Sequence, residues 1–150
     1  MAATQDALLQ SLKSLPHGDE FRFVDELSAL EPGVSGIGHY AVRDDADFLR
    51  GHFPGRPMLP AVIMVEALAQ LGGIVAQADP NQPTLADVRL TAMRNVKVMG
   101  TAVPSERLDI SVRVAGRLGN LIQIEGEVTC DTRQLVTAQV TLSGHLPDNV

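Results

Sequence analysis

A histidine, a carboxylate and a side-chain amide stand at spacings that suit acid–base chemistry: His52, Glu66 and Gln70. An imidazole titrates near neutral pH and can accept a proton from carbon or pass one on. A carboxyl group enclosed by apolar residues has its pKa raised by desolvation, which suits it to hold or donate a proton. Glu66 and Gln70 are four residues apart, so on a helix they share a face. Taken singly, each has a plainer explanation: a structural imidazole, a paired acid, a satisfied core amide. Their joint occurrence beside a stiff loop favours a site.

That loop reads Gly51-His52-Phe53-Pro54-Gly55-Arg56-Pro57-Met58-Leu59-Pro60. Pro54, Pro57 and Pro60 each fix φ, remove an amide donor and bias the preceding residue toward extended backbone, so no helix runs through the segment. Gly51 and Gly55 permit turns or close backbone approach. Pro60 falls where a helix can begin, because the first helical amides have no partner within the helix. Those amides, starting with Ala61, are candidate donors to an oxygen that gains negative charge.

Behind the loop, Val62, Ile63, Val65, Leu68, Leu71 and Ile74 leave almost no polar face between residues 61 and 76. A helix apolar nearly all round is enclosed by protein or by lipid. Glu66 and Gln70 interrupt it, and a membrane span needs about 20 mostly apolar residues. A helix inside a globular domain is therefore predicted. At about 1.5 Å per residue, roughly 18 residues give a rod near 27 Å, about the width of a small domain. A sheet must wrap round it.

The run Gly51-His52-Phe53-Pro54-Gly55, with Pro57, Pro60 and Glu66-Ala67-Leu68-Ala69-Gln70, resembles the signature of the FabZ-type β-hydroxyacyl-(acyl carrier protein) dehydratases of fatty-acid synthesis. Leu15-Pro16-His17 and Val24-Asp25 are similar to elements near that family's N-terminus. The resemblance implies an α+β hot-dog fold, a long central helix wrapped by a curved antiparallel sheet, in homodimers with two active sites at the subunit interface; further assembly of such dimers, into tetramers or a hexamer, is left open by the sequence. It implies His52 as catalytic base and Glu66, from the other subunit, working on the hydroxyl. Gln70 would orient the site, the Ala61 amide would polarise the thioester carbonyl, and Phe53, Pro54, Gly55 and Pro60 would form the substrate-binding loop. The chain departs from the family pattern at Ala61, usually glycine, at Ser105 after Pro104, at Thr101, and at Gly18-Asp19-Glu20 after the Leu-Pro-His element. These positions bear on substrate choice and carrier docking.

A chain of 150 residues predicts one domain, 1–150, large enough for a core without staples. Hydrophobic content of 45% and a charged fraction of 20% fit a globular class. A net charge of −6 and the scarcity of aromatic residues argue against a nucleic-acid partner, which needs phosphate neutralisation and base stacking. An acidic carrier protein would need a local basic patch, for which Arg50, Arg56, Arg94 and Lys97 are candidates. Cys130 stands alone, excluding an intrachain disulfide and a cysteine-rich metal site. No ligand spacing supports a metal, no cofactor motif occurs, and the absence of a signal-peptide layout predicts a cytoplasmic protein without a membrane partner.

Along the chain, Ala7, Leu8, Leu12 and Leu15 behind Thr4 predict a short amphipathic helix on the outside of the sheet. Residues 21–30 and 34–42 read as strands across the turn at Glu31-Pro32-Gly33, and residues 84–98 as strand-like. Asp44-Asp45-Ala46-Asp47 reads as a solvated face or cap. Three closing strands alternate with period two, through Leu108, Ile110 and Val112, then Ile122, Ile124 and Val128, then Val136, Ala138, Val140 and Leu142. His17 and His39 lie outside the loop and helix and are given little weight. The expected chemistry is dehydration of a β-hydroxyacyl thioester, carried on acyl carrier protein or coenzyme A, to the trans-2-enoyl thioester. Alternatives are a hot-dog thioesterase, with Glu66 activating water, and an acyl-binding paralogue of weak activity.

Overall fold

The hydroxyl of Thr4 accepts the Ala7 amide at 3.2 Å and so starts helix α1 (Gln5–Lys13). The computed structural model describes residues 3–148. After α1 come a 3₁₀ turn (Asp19–Phe21), strands β1 (Glu26–Glu31) and β2 (Ser35–Ala41), the short helix α2 (Asp47–Gly51) and the long helix α3 (Ala61–Gln77). Strands β3 (Ala86–Val98), β4 (Arg107–Leu118), β5 (Leu121–Cys130) and β6 (Arg133–His145) complete the chain. They form one antiparallel sheet in the order β1-β2-β4-β5-β6-β3.

Helix α3 lies against β4, β2, β5 and β6. The alternating residues of the closing strands supply the opposing surface: Leu108, Ile110, Ile122, Ile124, Val128 and Val136 are fully buried. On the helix, Met64, Leu68, Leu71 and Val75 are equally enclosed. Each such aliphatic side chain stabilises the fold by roughly 1.5–3 kcal/mol relative to exposure. Two glycines let helix and sheet approach. A Cβ on Gly72 would meet Ile124 at 2.8 Å, and one on Gly126 would meet the Ser111 carbonyl at 2.7 Å and Leu68 at 2.9 Å. This central helix on an antiparallel sheet is the hot-dog arrangement.

Arg117 finishes the helix by donating to the Ala76 carbonyl at 3.1 Å and to that of Pro83. A cation at this end also meets the negative pole of the helix dipole. Among the described residues no helix is long and apolar enough to cross a membrane.

Two expectations, the start of β1 and the side of the sheet on which α1 packs, need correction. β1 begins at Glu26, not Phe21, because residues 19–21 turn and the backbone of Phe21 and Phe23 bonds a helix side chain instead of a strand. Asp47 opens α2, which carries the chain into the proline loop, and Asp44, Asp45 and Asp47 are exposed, in keeping with a solvated face at a helix start. Helix α1 touches α3 as well as β1 and places Leu8 in the core, so it lies on the inner side of the sheet. β3 is an edge strand, paired only with β6, and nearly all of its residues are exposed.

Gly126→Ala is expected to cost about 1–3 kcal/mol through overpacking, read as a lower urea midpoint. Alanine at Gly116, where a Cβ would meet only Gln123 at 3.8 Å, should leave the midpoint unchanged.

Candidate active site

His52 caps α2, its amide donating to the Leu49 carbonyl at 3.2 Å. The chain then closes a tight turn in which the Phe53 amide donates to Arg56 at 3.1 Å and the Arg56 amide to Phe53 at 2.9 Å. Gly55, at φ +75°, supplies the left-handed residue that turn requires. Across the turn, the Met58 amide donates to the His52 carbonyl at 2.7 Å, and the His52 ring returns the contact from Nδ1 to the Met58 carbonyl at 2.8 Å. A carbonyl can only accept, so Nδ1 carries a proton and the neutral ring keeps its free lone pair on Nε2. Leu59, buried, anchors the loop through its amide to Ala102 at 2.8 Å.

Pro60 is the N-cap of α3, and the first carbonyl it bonds is reached by the Ile63 amide at 3.0 Å. The amides of Ala61 and Val62 have no partner within the helix. About two and a half turns on, Gln70 is the buried polar side chain of the core, 3% exposed. Its Oε1 accepts the Phe23 amide at 2.9 Å, and its Nε2 donates to the Phe21 carbonyl at 2.8 Å and to Glu66 Oε1 at 3.1 Å. Glu66 is half-buried. His17 brings its Nε2 to 3.4 Å from the same Glu66 oxygen.

Glu66, Gln70 and His17 open onto a cavity of about 610 Å³ that runs along α3 past Gly73 and Ile74, with Leu90 and Leu142 opposite. His52 is not among the residues that line it. The structure therefore gathers Glu66 and Gln70, adds His17, and leaves His52 with Phe53, Pro54 and Gly55 on a separate loop. Phe53 and Val62, beside that loop, are 52% and 72% exposed. Arg50 sits on α2 and Arg56 in the loop after it, whereas Arg94 and Lys97 share β3; Arg50 is paired with Asp47. His39 bridges Asp109 at 2.7 Å and Ser28 at 2.8 Å, a strut across β1, β2 and β4 away from the cavity. Burial pushes the Cys130 thiol up, away from the thiolate a nucleophile would need.

Residues 15–139 match the family described as the FabA-like domain. The chain is 32% identical over 127 residues to the 3-hydroxyacyl-(acyl-carrier-protein) dehydratase FabZ of Anaeromyxobacter sp. (strain Fw109-5), covering 83% of this chain and 80% of that one. The FabZ of Clostridium acetobutylicum is 30% identical over 132 residues, covering 88% and 93%. Among solved structures, the dehydratase heterocomplex ApeI:P from Xenorhabdus doucetiae aligns with a TM-score of 0.74 at 18% identity, covering 95% of this chain and 92% of that one. Zebra fish thioesterase superfamily member 2 aligns at 0.67 and 16%, covering 97% and 99%. These two likenesses establish the shared fold.

Gln70→Leu should strand the Phe23 amide and the Phe21 carbonyl, an expected loss of about 1–3 kcal/mol for each group left unsatisfied. Equilibrium unfolding in urea measures it.

Proposed function

The chain belongs to the FabA-like domain family, and from that membership we propose that it dehydrates a 3-hydroxyacyl thioester to the trans-2-enoyl thioester. The observation that carries this is the His52 ring, fixed through Nδ1 by the Met58 carbonyl with its Nε2 lone pair free to act as base. A hydrogen bond from the Ala61 amide, at the positive end of α3, draws electrons from the thioester carbonyl and makes the α-hydrogen more acidic. One such donor contributes roughly 3 kcal/mol in a water-excluded site. His52 takes the α-proton, the C–H electrons form the double bond, and the β-hydroxyl leaves with its bonding pair. Glu66 supplies the proton that turns it into water. The acyl chain occupies the cavity beside α3. Its thiol carrier is acyl carrier protein or coenzyme A, with Arg50, Arg56, Arg94 and Lys97 as docking cations.

His52 and Glu66 meet, in this proposal, across two copies of the chain. Three features support it: the absence of His52 from the Glu66 cavity, the exposed β3 edge with Met93, Val96 and Val98, and the exposed Phe53 and Val62. A homodimer joined along β3 would cover that edge.

Purified protein incubated with 3-hydroxyacyl thioesters should form enoyl absorbance without releasing thiol. Thiol release would indicate a thioesterase instead, and binding without either product an acyl-binding protein. His52→Ala and Glu66→Gln should each lower kcat by at least about 100-fold. Mixed and refolded together, these two inactive variants should regain about a quarter of wild-type activity, since half the dimers are hybrids with one intact site. No recovery would place both groups in one subunit. Ala61→Gly should raise the rate with bulky acyl groups if the methyl restricts the thioester; an unchanged rate would show that it points elsewhere.

A further inference from the structure

Glu66 receives its polar contacts on one oxygen. Gln70 donates to Oε1, His17 Nε2 stands 3.4 Å from that same atom, and among the described residues Oε2 has no hydrogen-bond partner. An oxygen that accepts from Gln70 and faces a second nitrogen at 3.4 Å is the poorer place for a proton, so in the acid form of Glu66 the proton belongs on Oε2. Oε2 is then the atom that can hand a proton on.

The imidazole of His17 is held for this contact. Its own carbonyl accepts from Arg22 Nε at 2.6 Å, and that of Leu15 from Arg22 Nη2 at 2.9 Å, so one guanidinium clamps both ends of the Leu15-Pro16-His17 segment. The ring lies stacked by Phe21, centroids 6.3 Å apart, and the Phe21 carbonyl is itself bonded by Gln70. Nδ1 of His17 is buried with no partner. A proton there would be a buried N–H without an acceptor, whereas a proton on Nε2 faces a carboxylate. The neutral ring is thereby fixed as the Nε2–H tautomer, a donor aimed at Glu66.

We propose that His17 is a positioning residue for the dehydration, donating from Nε2 to Glu66 Oε1 so that the acidic proton sits on Oε2, directed at the departing β-hydroxyl. The step balances: the C–O bond breaks with its electron pair on oxygen, Oε2 gives up its proton, and water leaves. The 3.4 Å contact tightens when substrate closes the site, as such contacts commonly do. The proposal rests on the role given to Glu66 in the dehydratase function.

His17→Phe keeps the stacking and removes the donor, while His17→Gln returns an N–H near the position of Nε2. In His17→Phe, kcat for enoyl formation should fall between about 10- and 100-fold with KM little changed, and His17→Gln should recover most of the loss. Unchanged kcat in His17→Phe, or an equal loss in His17→Gln, would overturn the role while leaving the dehydratase function intact. A readout independent of turnover separates the two. Nitrogen-15 spectra of the imidazoles should show His17 as the Nε2–H tautomer, with both ring signals moving in Glu66→Gln. If they do not move, His17 is not coupled to Glu66 whatever the protein catalyses. If they move but wild-type protein makes no enoyl product, the dehydratase function falls and the proposed role falls with it.

Discussion

One buried amide holds the two halves of the site together. Gln70 bonds the backbone of Phe21 and Phe23 on one side and Glu66 on the other, from a position that solvent barely reaches. Buried amide groups are costly unless satisfied, and both ends of this one are. The N-terminal segment can therefore sit against α3 in one register only, the one that brings His17 beside Glu66. Fold and site share this constraint. Any change that frees residues 21–23 also releases the neighbours of the carboxylate.

The loop carrying His52 is held by a different device. Its proline residues stiffen the backbone, while reciprocal bonds between His52 and Met58 set both the path of the chain and the tautomer of the ring. The imidazole is oriented by a backbone carbonyl, so no second side chain is needed for that task. The helix start at Pro60 follows two residues after Met58, so the loop runs directly into the first amides of α3, which have no partner within the helix.

Much of this was legible in the sequence because it is local. The apolar run after Pro60 gave a helix of nearly the right length, the period-two patterns gave β4, β5 and β6, and the spacing of Glu66 and Gln70 put them on one face. What escaped notice depends on contacts between distant positions. Residues 21–25 have strand-forming side chains, but the Phe23 amide finds its acceptor 47 residues away on a helix. His17 reads as peripheral because the carboxylate it meets, Glu66, lies far along the chain on α3. The match of Leu15-Pro16-His17 to a family element was the signal that could have raised its weight. Helix α2 is a single turn of five residues, too short for any periodicity to register.

The sheet edge at β3 has a consequence for how the protein is made. About half of the residues of this thirteen-residue strand turn their backbone N–H and C=O groups away from β6, beside the apolar side chains of Met93, Val96 and Val98. A freshly synthesised monomer is thus an open template for any extended peptide in its surroundings. In the homodimer proposed above, covering that edge would be a second-order step in competition with capture by unrelated strands, so yield would depend on how quickly and how densely the chain is expressed.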